Sequence, residues 1–323
     1  MSGGQKTKSN NLESNDAETL FQQLIDLVRT QNLRDIHLDP RDGHYLIRTK
    51  SSTARLATHA EISKVQATDL IDLLFIKSHL HPSSRPIPQD ARLSHANFLI
   101  QLTTLPTILG PKIFLHFTDQ TKLTRDLSKL GFTPDQLPIA ESITKLPSGL
   151  ILVLGAGKTT TMFSLLSLFD ASKLSISTVE TRHTYRLPGV NQFIDTTGQI
   201  SRQEQAFAAA MRQHSDVILL SQIDSTRLAE LSLDAASNRR IIITSLPITD
   251  PYSAADFLTH LGTTPFLTLH NLRLVISQQL VPTTDSTSSF TGRFDLLEIN
   301  DHYRQLFLAG LTPTEIRHTL NSK

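Results

Sequence analysis

The stretch GLILVLGAGKTTTMFSLLSLF, from Gly149 to Phe169, decides the fold. Its first six residues form an apolar run of strand length, and the apolar spacing after the run predicts a helix over 158–169. Between them lies GAGKT, residues 155–159. Glycines at a strand-to-helix turn let backbone N–H groups converge on phosphate oxygens, and the helix N-terminus adds positive potential. The stretch therefore predicts a phosphate-binding loop.

The loop is shorter than the standard phosphate-binding motif. That motif reads Gly-x4-Gly-Lys, but the residue five positions before Gly157 is Leu152, so about three residues are missing. Lys158 would contact the β- and γ-phosphates of ATP, and the Thr159 hydroxyl would hold Mg²⁺. The predicted cofactor-binding residues of the loop are Gly155, Ala156, Gly157, Lys158, Thr159 and Thr160. A shorter loop offers fewer N–H donors, so we expect weakened affinity; a plain strand-to-helix turn is the alternative.

Apolar runs and helical segments alternate along the second part of the chain. SISTVE (175–180), DVILLSQI (216–223) and RRIIITSL (239–246) have the length and composition of parallel strands covered on both faces. We also predict a helix over 125–143, a final strand RFDLLEI (293–299) and a terminal helix. This alternation predicts an α/β domain with an open doubly wound sheet over 123–323.

The first part of the chain has a different pattern. Helical spacing predicts helices over 19–32 and 63–77, and apolar runs at 36–40, 44–50, 96–106 and 111–119 predict strands separated by turns. Residues 18–122 are therefore expected to form a smaller α+β domain with a mostly antiparallel sheet. Residues 1–17 are polar and are expected to be a disordered tail.

Composition excludes several kinds of protein. The 31 basic and 30 acidic residues nearly cancel, which argues against a nucleic-acid partner. Cysteine is absent, so disulfides and thiolate metal sites are excluded. His79 and His81 lie close in sequence without a third nearby ligand, so a zinc site is not expected. The sequence shows neither a signal peptide nor an apolar run of the ~20 residues that a membrane span needs, and predicts a cytoplasmic protein.

The chain resembles the ATPases of type II secretion and type IV pilus systems. Residues 146–169 resemble their phosphate loop, and DIHLDP (35–40), PIPQDARLS (86–94), STVETRHTYRLPGVNQ (177–192) and GRFDLLEIN (292–300) match in the same order. The resemblance implies a RecA-like P-loop domain with a mixed, mostly parallel sheet, preceded by a PAS-like α+β domain. It also implies ATP and Mg²⁺ as cofactors, a homo- or hetero-hexamer with a related ATPase, and a platform protein in the inner membrane as partner.

Several residues that the resemblance places at the catalytic site differ from the family pattern. The acidic box, Glu-Asp-Pro-x-Glu in the family, is ETRHT at 180–184, so only Glu180 keeps a carboxylate there. Gln222 replaces the second catalytic glutamate and cannot accept a proton from water. Pro247 replaces the histidine of the histidine box, and Gln101 and His116 stand where arginines are expected. Losing a transition-state arginine costs about 10³ to 10⁵ in phosphoryl-transfer rate.

Glu180 and Gln222 are therefore the candidate catalytic residues, and Arg92 and Arg212, which match family arginines, are candidate nucleotide-binding or structural residues. Three functions remain open. The first is a degenerate ATPase-family subunit that regulates or supports a ring at the inner face of the cytoplasmic membrane. The second is an active secretion or pilus motor with an atypical loop, and the third is a structural adaptor that binds no nucleotide.

Overall fold

The chain forms two compact units, described here from a computed structural model. The structure describes residues 16–50, 56–80, 87–122, 126–181, 185–195, 199–282 and 290–321. The first unit ends at Thr121 and the second begins at Lys122. Residues 1–15 of the predicted tail lie outside the described residues. No helix in the described ranges is both long and apolar enough to cross a membrane.

The first unit combines two helices with an antiparallel sheet. Among its described residues, six strands are ordered β3-β2-β1-β6-β5-β4. The helices are α1 (Ala17–Gln31) and α2 (Lys64–Lys77), and the strands are β1 (Asp35–Pro40), β2 (His44–Lys50), β3 (Ala57–Ser63), β4 (Gln89–His95), β5 (Phe98–Leu105) and β6 (Lys112–Asp119). Each strand pair is antiparallel, which confirms the predicted α+β class.

Local sequence signals explain where these elements begin. Asp16 caps α1 by accepting a hydrogen bond from the Thr19 N–H at 3.0 Å, and Ser63 and Gln66 form a reciprocal capping box on α2. The strands β3 and β4 were missed from the sequence. Both lie at sheet edges, where a strand has fewer buried neighbours and its apolar pattern is weak.

The second unit is built on a mixed, mostly parallel sheet with helices on both faces. Its described strands are ordered β13-β12-β7-β11-β10-β8-β9, and only the β12–β13 pair is antiparallel. They are β7 (Gly149–Gly155), β8 (Ile176–Glu180), β9 (Asn191–Ile194), β10 (Val217–Leu220), β11 (Ile241–Thr244), β12 (Leu272–Pro282) and β13 (Phe290–Glu298). The helices are α3 (Gln136–Glu141), α4 (Lys158–Leu166), α5 (Ile200–Arg212), α6 (Thr226–Ser237), α7 (Ala254–His260), α8 (Pro265–Asn271), α9 (Asp301–Leu308) and α10 (Pro313–Asn321). The predicted α/β fold is confirmed.

Alternation along the central strand β7 divides the core into two layers. Leu150, Leu152 and Leu154 pack on the layer that includes α6, whereas Ile151 and Val153 pack on the layer that includes α4. All five side chains are fully buried. A run that is apolar on both faces therefore fixes β7 in the middle of the sheet, with its carboxyl end at the start of α4.

Three predicted helices differ from the structure. The single helix expected over 125–143 is wrong: a 3₁₀ turn at Leu127–Leu130 ends at Gly131 (φ +109°), and α3 follows separately. Pro134 and Pro138 lack the N–H that a continuous helix would need. The helix α4 ends at Leu166, three residues before the predicted end, and the predicted terminal helix is two helices, α9 and α10.

Candidate functional site

The turn between β7 and α4 is tight and depends on two glycines. Gly155 and Gly157 have φ values of +86° and +85°, in the left-handed region that favours glycine. A Cβ at Gly155 would lie 2.1 Å from the backbone oxygen of Gln278, and one at Gly157 would lie 2.6 Å from the Gln278 side-chain nitrogen. Strand β12 therefore approaches the turn so closely that neither glycine can gain a side chain without movement.

The first turn of α4 offers backbone donors. Gly157 is the N-cap residue and provides no side-chain cap. Thr159 and Ala156 are exposed, and Lys158 and Thr160 are half-buried. Uncapped N–H groups together with the helix dipole favour an anion at this end of the helix. All six residues of the predicted phosphate loop thus lie together at the carboxyl end of β7.

The Lys158 ammonium is held by neutral acceptors. Its Nζ donates to the side-chain oxygen of Gln222 at 2.9 Å and lies 3.5 Å from the carbonyl oxygen of Leu246. These residues follow β10 and β11, so two neighbouring strand ends converge on the lysine. Burial lowers the pKa of Lys158 because the charged form loses solvation. The structure thus brings together Lys158 and Gln222, two of the predicted site residues.

Gln278 is a site residue that sequence reasoning missed. It pairs with Gly155 in the β7–β12 ladder, and its side-chain oxygen accepts a hydrogen bond from the buried Thr161 hydroxyl at 2.6 Å. Its amide nitrogen occupies the space beside Gly157. The signal in the sequence was indirect: two adjacent glutamines, 278–279, lie between the apolar residues 274–276 and 280–281.

Glu180 lies at the same edge of the sheet but apart from Lys158. The sheet order places two strands, β11 and β10, between β7 and β8, which corresponds to ~14 Å between the strands that carry the two residues. The Glu180 side chain is fully buried and accepts hydrogen bonds from the Thr178 hydroxyl (2.5 Å) and the Gln192 amide (3.0 Å). Residues 182–184 of the same box lie outside the described residues.

Arg212 lies at the opposite edge of the sheet from the loop. It is the exposed last residue of α5, which leads into β10 at the amino end of that strand. Arg240, which precedes β11, donates to the carbonyl oxygen of Met211 at 3.0 Å and so fixes this end of α5. Because β7, β10 and β11 are parallel, their amino ends share one edge, and Arg212 does not join Lys158 within the chain.

Arg92 belongs to the first unit, where it begins a row across the sheet. It pairs with Gln101, Gln101 pairs with His116, and His116 pairs with Asp35. The His116 ring nitrogen Nδ1 lies 2.7 Å from the Asp35 carboxylate. The two residues that stand where the resemblance implied arginines are therefore neighbours, and one of them is engaged by an acid of its own unit.

Pro247 and Asp250 shape the loop after β11. Pro247 is exposed and, as proline, donates no hydrogen bond from its backbone. Asp250 accepts from the Tyr252 N–H at 3.3 Å and forms an ion pair with Arg317 of α10. This loop therefore carries structural contacts within the second unit, in addition to the Leu246 carbonyl that faces Lys158.

The comparisons with known proteins identify the family. The family model "Type II/IV secretion system protein" matches residues 11–307. The chain belongs to this family of secretion and pilus ATPases, as the resemblance implied.

Individual relatives agree with this assignment. The chain is 27% identical over 333 residues to the type II secretion system protein HxcR of Pseudomonas aeruginosa, a match that spans 91% of this chain and 70% of that protein. It is 27% identical over 282 residues to the type IV pilus assembly ATPase PilB of Thermus thermophilus, which covers 84% of this chain but 31% of PilB. The matched relatives include several of which the chain spans only about half.

Solved structures support the fold. The Legionella pneumophila ATPase DotB superposes with a TM-score of 0.73 at 16% identity, covering 97% of this chain and 89% of DotB. The pilus retraction motor PilT with bound ADP also gives a TM-score of 0.73, at 18% identity, covering 93% of this chain and 88% of PilT. At these identities the likeness concerns the fold of the chain.

Proposed function

We propose that this chain is a subunit of a secretion or type IV pilus motor with a degenerate nucleotide site, which binds ATP weakly and hydrolyses it slowly or not at all. The observation that carries the proposal is the 2.9 Å contact between the Lys158 ammonium and the neutral Gln222 amide oxygen. The lysine of the loop is in place, whereas its partner Gln222, which follows β10, cannot act as a base.

The residues of the turn fit a phosphate group. Gly157 leaves the start of α4 uncapped, Lys158 supplies a positive charge, and the exposed Thr159 hydroxyl is available to a metal ion. When bound, ATP with Mg²⁺ would supply the phosphate oxygens and the cation that such a turn holds. The absence of about three residues relative to the full loop reduces the number of N–H donors and therefore the affinity.

The acid–base groups fit hydrolysis poorly. Glu180, the remaining candidate base, is fully buried and already accepts hydrogen bonds from Thr178 and Gln192. General-base catalysis contributes about 10²- to 10⁴-fold to a rate, and Gln222 cannot supply it. We therefore expect turnover to be slow even where nucleotide is bound.

The assembly is proposed from the relatives. Their names describe a type II secretion system protein and a type IV pilus assembly ATPase. We propose that this chain joins a homo- or hetero-hexamer with a related ATPase that has an intact site, and that the ring contacts a membrane platform protein from the cytoplasmic side. Isolation of the chain from its native cell should recover such an ATPase; a chain recovered repeatedly without one argues against the mixed ring.

Calorimetric titration with Mg·ATP tests the nucleotide site. The wild-type chain should bind with a Kd near the millimolar range, corresponding to about −4 kcal/mol. Lys158→Ala should abolish the binding heat, while Lys129→Ala, which changes a lysine side chain that is 70% exposed, should leave it unchanged. Binding that survives Lys158→Ala would contradict the assignment of the loop.

The two other functions make different predictions in the same titration. An active motor would bind Mg·ATP and release phosphate at an ordinary enzymatic rate, about 1 s⁻¹ or faster. A structural adaptor would give no binding heat at millimolar Mg·ATP. The close approach of Gln278 to the shortened turn is the observation that favours the adaptor over the active motor.

A further inference from the structure

A chain of hydrogen bonds links the first turn of α4 to the end of β8. The Thr160 hydroxyl lies 3.0 Å from the Tyr185 hydroxyl. The backbone oxygen of Tyr185 accepts from the Gln192 amide nitrogen at 2.7 Å, and the same nitrogen donates to the Glu180 carboxylate at 3.0 Å. Gln192 lies on β9, the edge strand beside β8, and therefore stands in the middle of this chain.

We propose that Gln192 is a positioning residue that couples the edge strand β9 to the phosphate loop through Tyr185. The proposal rests on the proposed function, because it names how the loop of that site is held. Gln192 would act on the first turn of α4 by fixing the segment 185–187, and it would also keep the Glu180 carboxylate engaged away from the loop.

The hydrogen-bonding capacity of the Gln192 side chain is used in both directions. Its amide nitrogen donates to Glu180 and to the Tyr185 carbonyl, while its oxygen accepts from the Leu187 N–H at 2.9 Å. A carboxamide with two N–H donors and one acceptor oxygen can make this set of contacts, whereas a carboxylate has no donor. The side chain therefore has one orientation, and it fixes the backbone of 185–187 relative to β8.

Tyr185 transmits this position to the loop. Its ring is buried and packs edge-on against Phe163 of α4 at a centroid distance of 5.4 Å. The Tyr185 hydroxyl contacts Thr160, which lies one turn before Phe163 on α4. Among the described strands, β9 pairs only with β8, so a displacement of this edge would move Gln192, then 185–187, and then the first turn of α4.

Hydrogen exchange of the full chain tests the coupling without any ligand. Both Gln192→Ala and Tyr185→Phe should speed exchange of the backbone amides at 162–164, which bond to the carbonyls of the first turn of α4, by about tenfold, as expected for the loss of one hydrogen bond. The double variant should exchange no faster than Tyr185→Phe alone, because both act through the same contact. Gln205→Ala, which changes an exposed glutamine of α5, is the control and should have no effect.

Two results would overturn the proposal. Unchanged exchange at 162–164 in Gln192→Ala would show that the side chain does not hold the first turn of α4. If the exchange rate of the double variant rises by the product of the two single-variant factors, Gln192 and Tyr185 stabilise the helix independently and not through a shared contact. Exchange at β11 reports general destabilisation and should stay unchanged.

The Kd for Mg·ATP provides the functional measurement. Where the wild type binds, both single variants should weaken the affinity several-fold with the same non-additivity. If the wild type gives no binding heat, the proposed nucleotide site fails, and the exchange data alone decide the role of Gln192. The two proposals therefore fail separately.

Discussion

Replacing Gly155 by alanine should destabilise the protein more than replacing Gly310, a glycine with a similar backbone conformation. Gly310 provides the matched control: its φ is +80°, and nothing lies within 4 Å of a Cβ built there. Gly310→Ala therefore measures the left-handed backbone cost alone, about 1–2 kcal/mol. At Gly155 the new Cβ would also lie 2.1 Å from the Gln278 backbone oxygen. Overpacking of this kind adds about 1–3 kcal/mol, because β7 and β12 must move apart.

The loss of stability caused by Gly157→Ala should lie between the losses caused by Gly155→Ala and Gly310→Ala. Its Cβ would lie 2.6 Å from the Gln278 side-chain nitrogen, and a side chain can move where a backbone cannot. Movement of the Gln278 side chain would break its hydrogen bond with Thr161, which costs about 1 kcal/mol in addition to the cost of the left-handed backbone. For a unit of about 200 residues, each kcal/mol lowers the Tm by about 2–4 °C.

Scanning calorimetry of the full chain measures these shifts. Hydrogen exchange in β7 identifies which transition belongs to the second unit, because a chain of two compact units need not unfold in one step. The expected order of Tm loss is Gly155→Ala, then Gly157→Ala, then Gly310→Ala. Equal losses for the first and the third would refute the tight turn against β12.

Three further outcomes are expected. Thr161→Val should lower the free energy of unfolding by about 1–3 kcal/mol, because it leaves the buried Gln278 oxygen without this donor; Thr159→Val, at an exposed position, should change it little. Gln222→Glu should place a carboxylate beside the Lys158 ammonium, and the resulting ion pair should raise the Tm. Asp39→Asn should cost about 1–3 kcal/mol at pH 7, since Asp39 pairs with Arg48 and Lys112.

The pH dependence of Asp39 follows from its pKa. Burial alone would raise the pKa of this carboxyl, but Arg48 and Lys112 hold it below its usual value of 3.8. A lowered folded-state pKa gives stability that is present above pH 3.8 and is lost as the pH falls through the lowered value. The difference in Tm between wild type and Asp39→Asn should therefore shrink in acid; a constant difference would contradict the ion pair.

For Thr161→Val and Gln222→Glu, the contradicting results are also specific. A Thr161→Val variant as stable as the wild type would mean that the Gln278 oxygen is not bound by Thr161. An unchanged Tm in Gln222→Glu would show that the Lys158 ammonium does not lie beside residue 222. Denaturant unfolding measures the first, and scanning calorimetry measures the second.

Elements with a strong periodic signal could be predicted from the sequence. The run from Gly149 to Leu154 became the central strand β7, because apolar residues at every position are buried on both faces of a parallel sheet. The edge strands β3 and β4 were missed for the opposite reason, since half of each strand faces solvent. The helix predicted over 125–143 is not continuous, because Gly131 has a left-handed backbone and Pro134 and Pro138 lack an N–H donor, and these effects outweigh the apolar spacing.

The site was predictable only where it is local in sequence. Residues 155–160 lie together because they belong to one turn. Gln222 can also be placed near this turn, because parallel strands end at the same edge of the sheet. The role of Gln278 could not be predicted, because it depends on pairing with Gly155, more than a hundred residues away in sequence. The role of Gln192 could not be predicted either, because it depends on the loop that brings Tyr185 back to β9. For Arg212 the sequence match was misleading in another way, because a matching residue type does not indicate at which edge of the sheet that residue lies.

The most direct test of the central claim is the rate of phosphate release from Mg·ATP by the purified chain at a nucleotide concentration that saturates the calorimetric binding. A degenerate site predicts a rate below about 10⁻² s⁻¹. This value is an ordinary turnover of about 1 s⁻¹ divided by the factor of about 10² or more that a general base contributes. A rate near 1 s⁻¹ or above that is abolished by Lys158→Ala would contradict the account and establish an active motor.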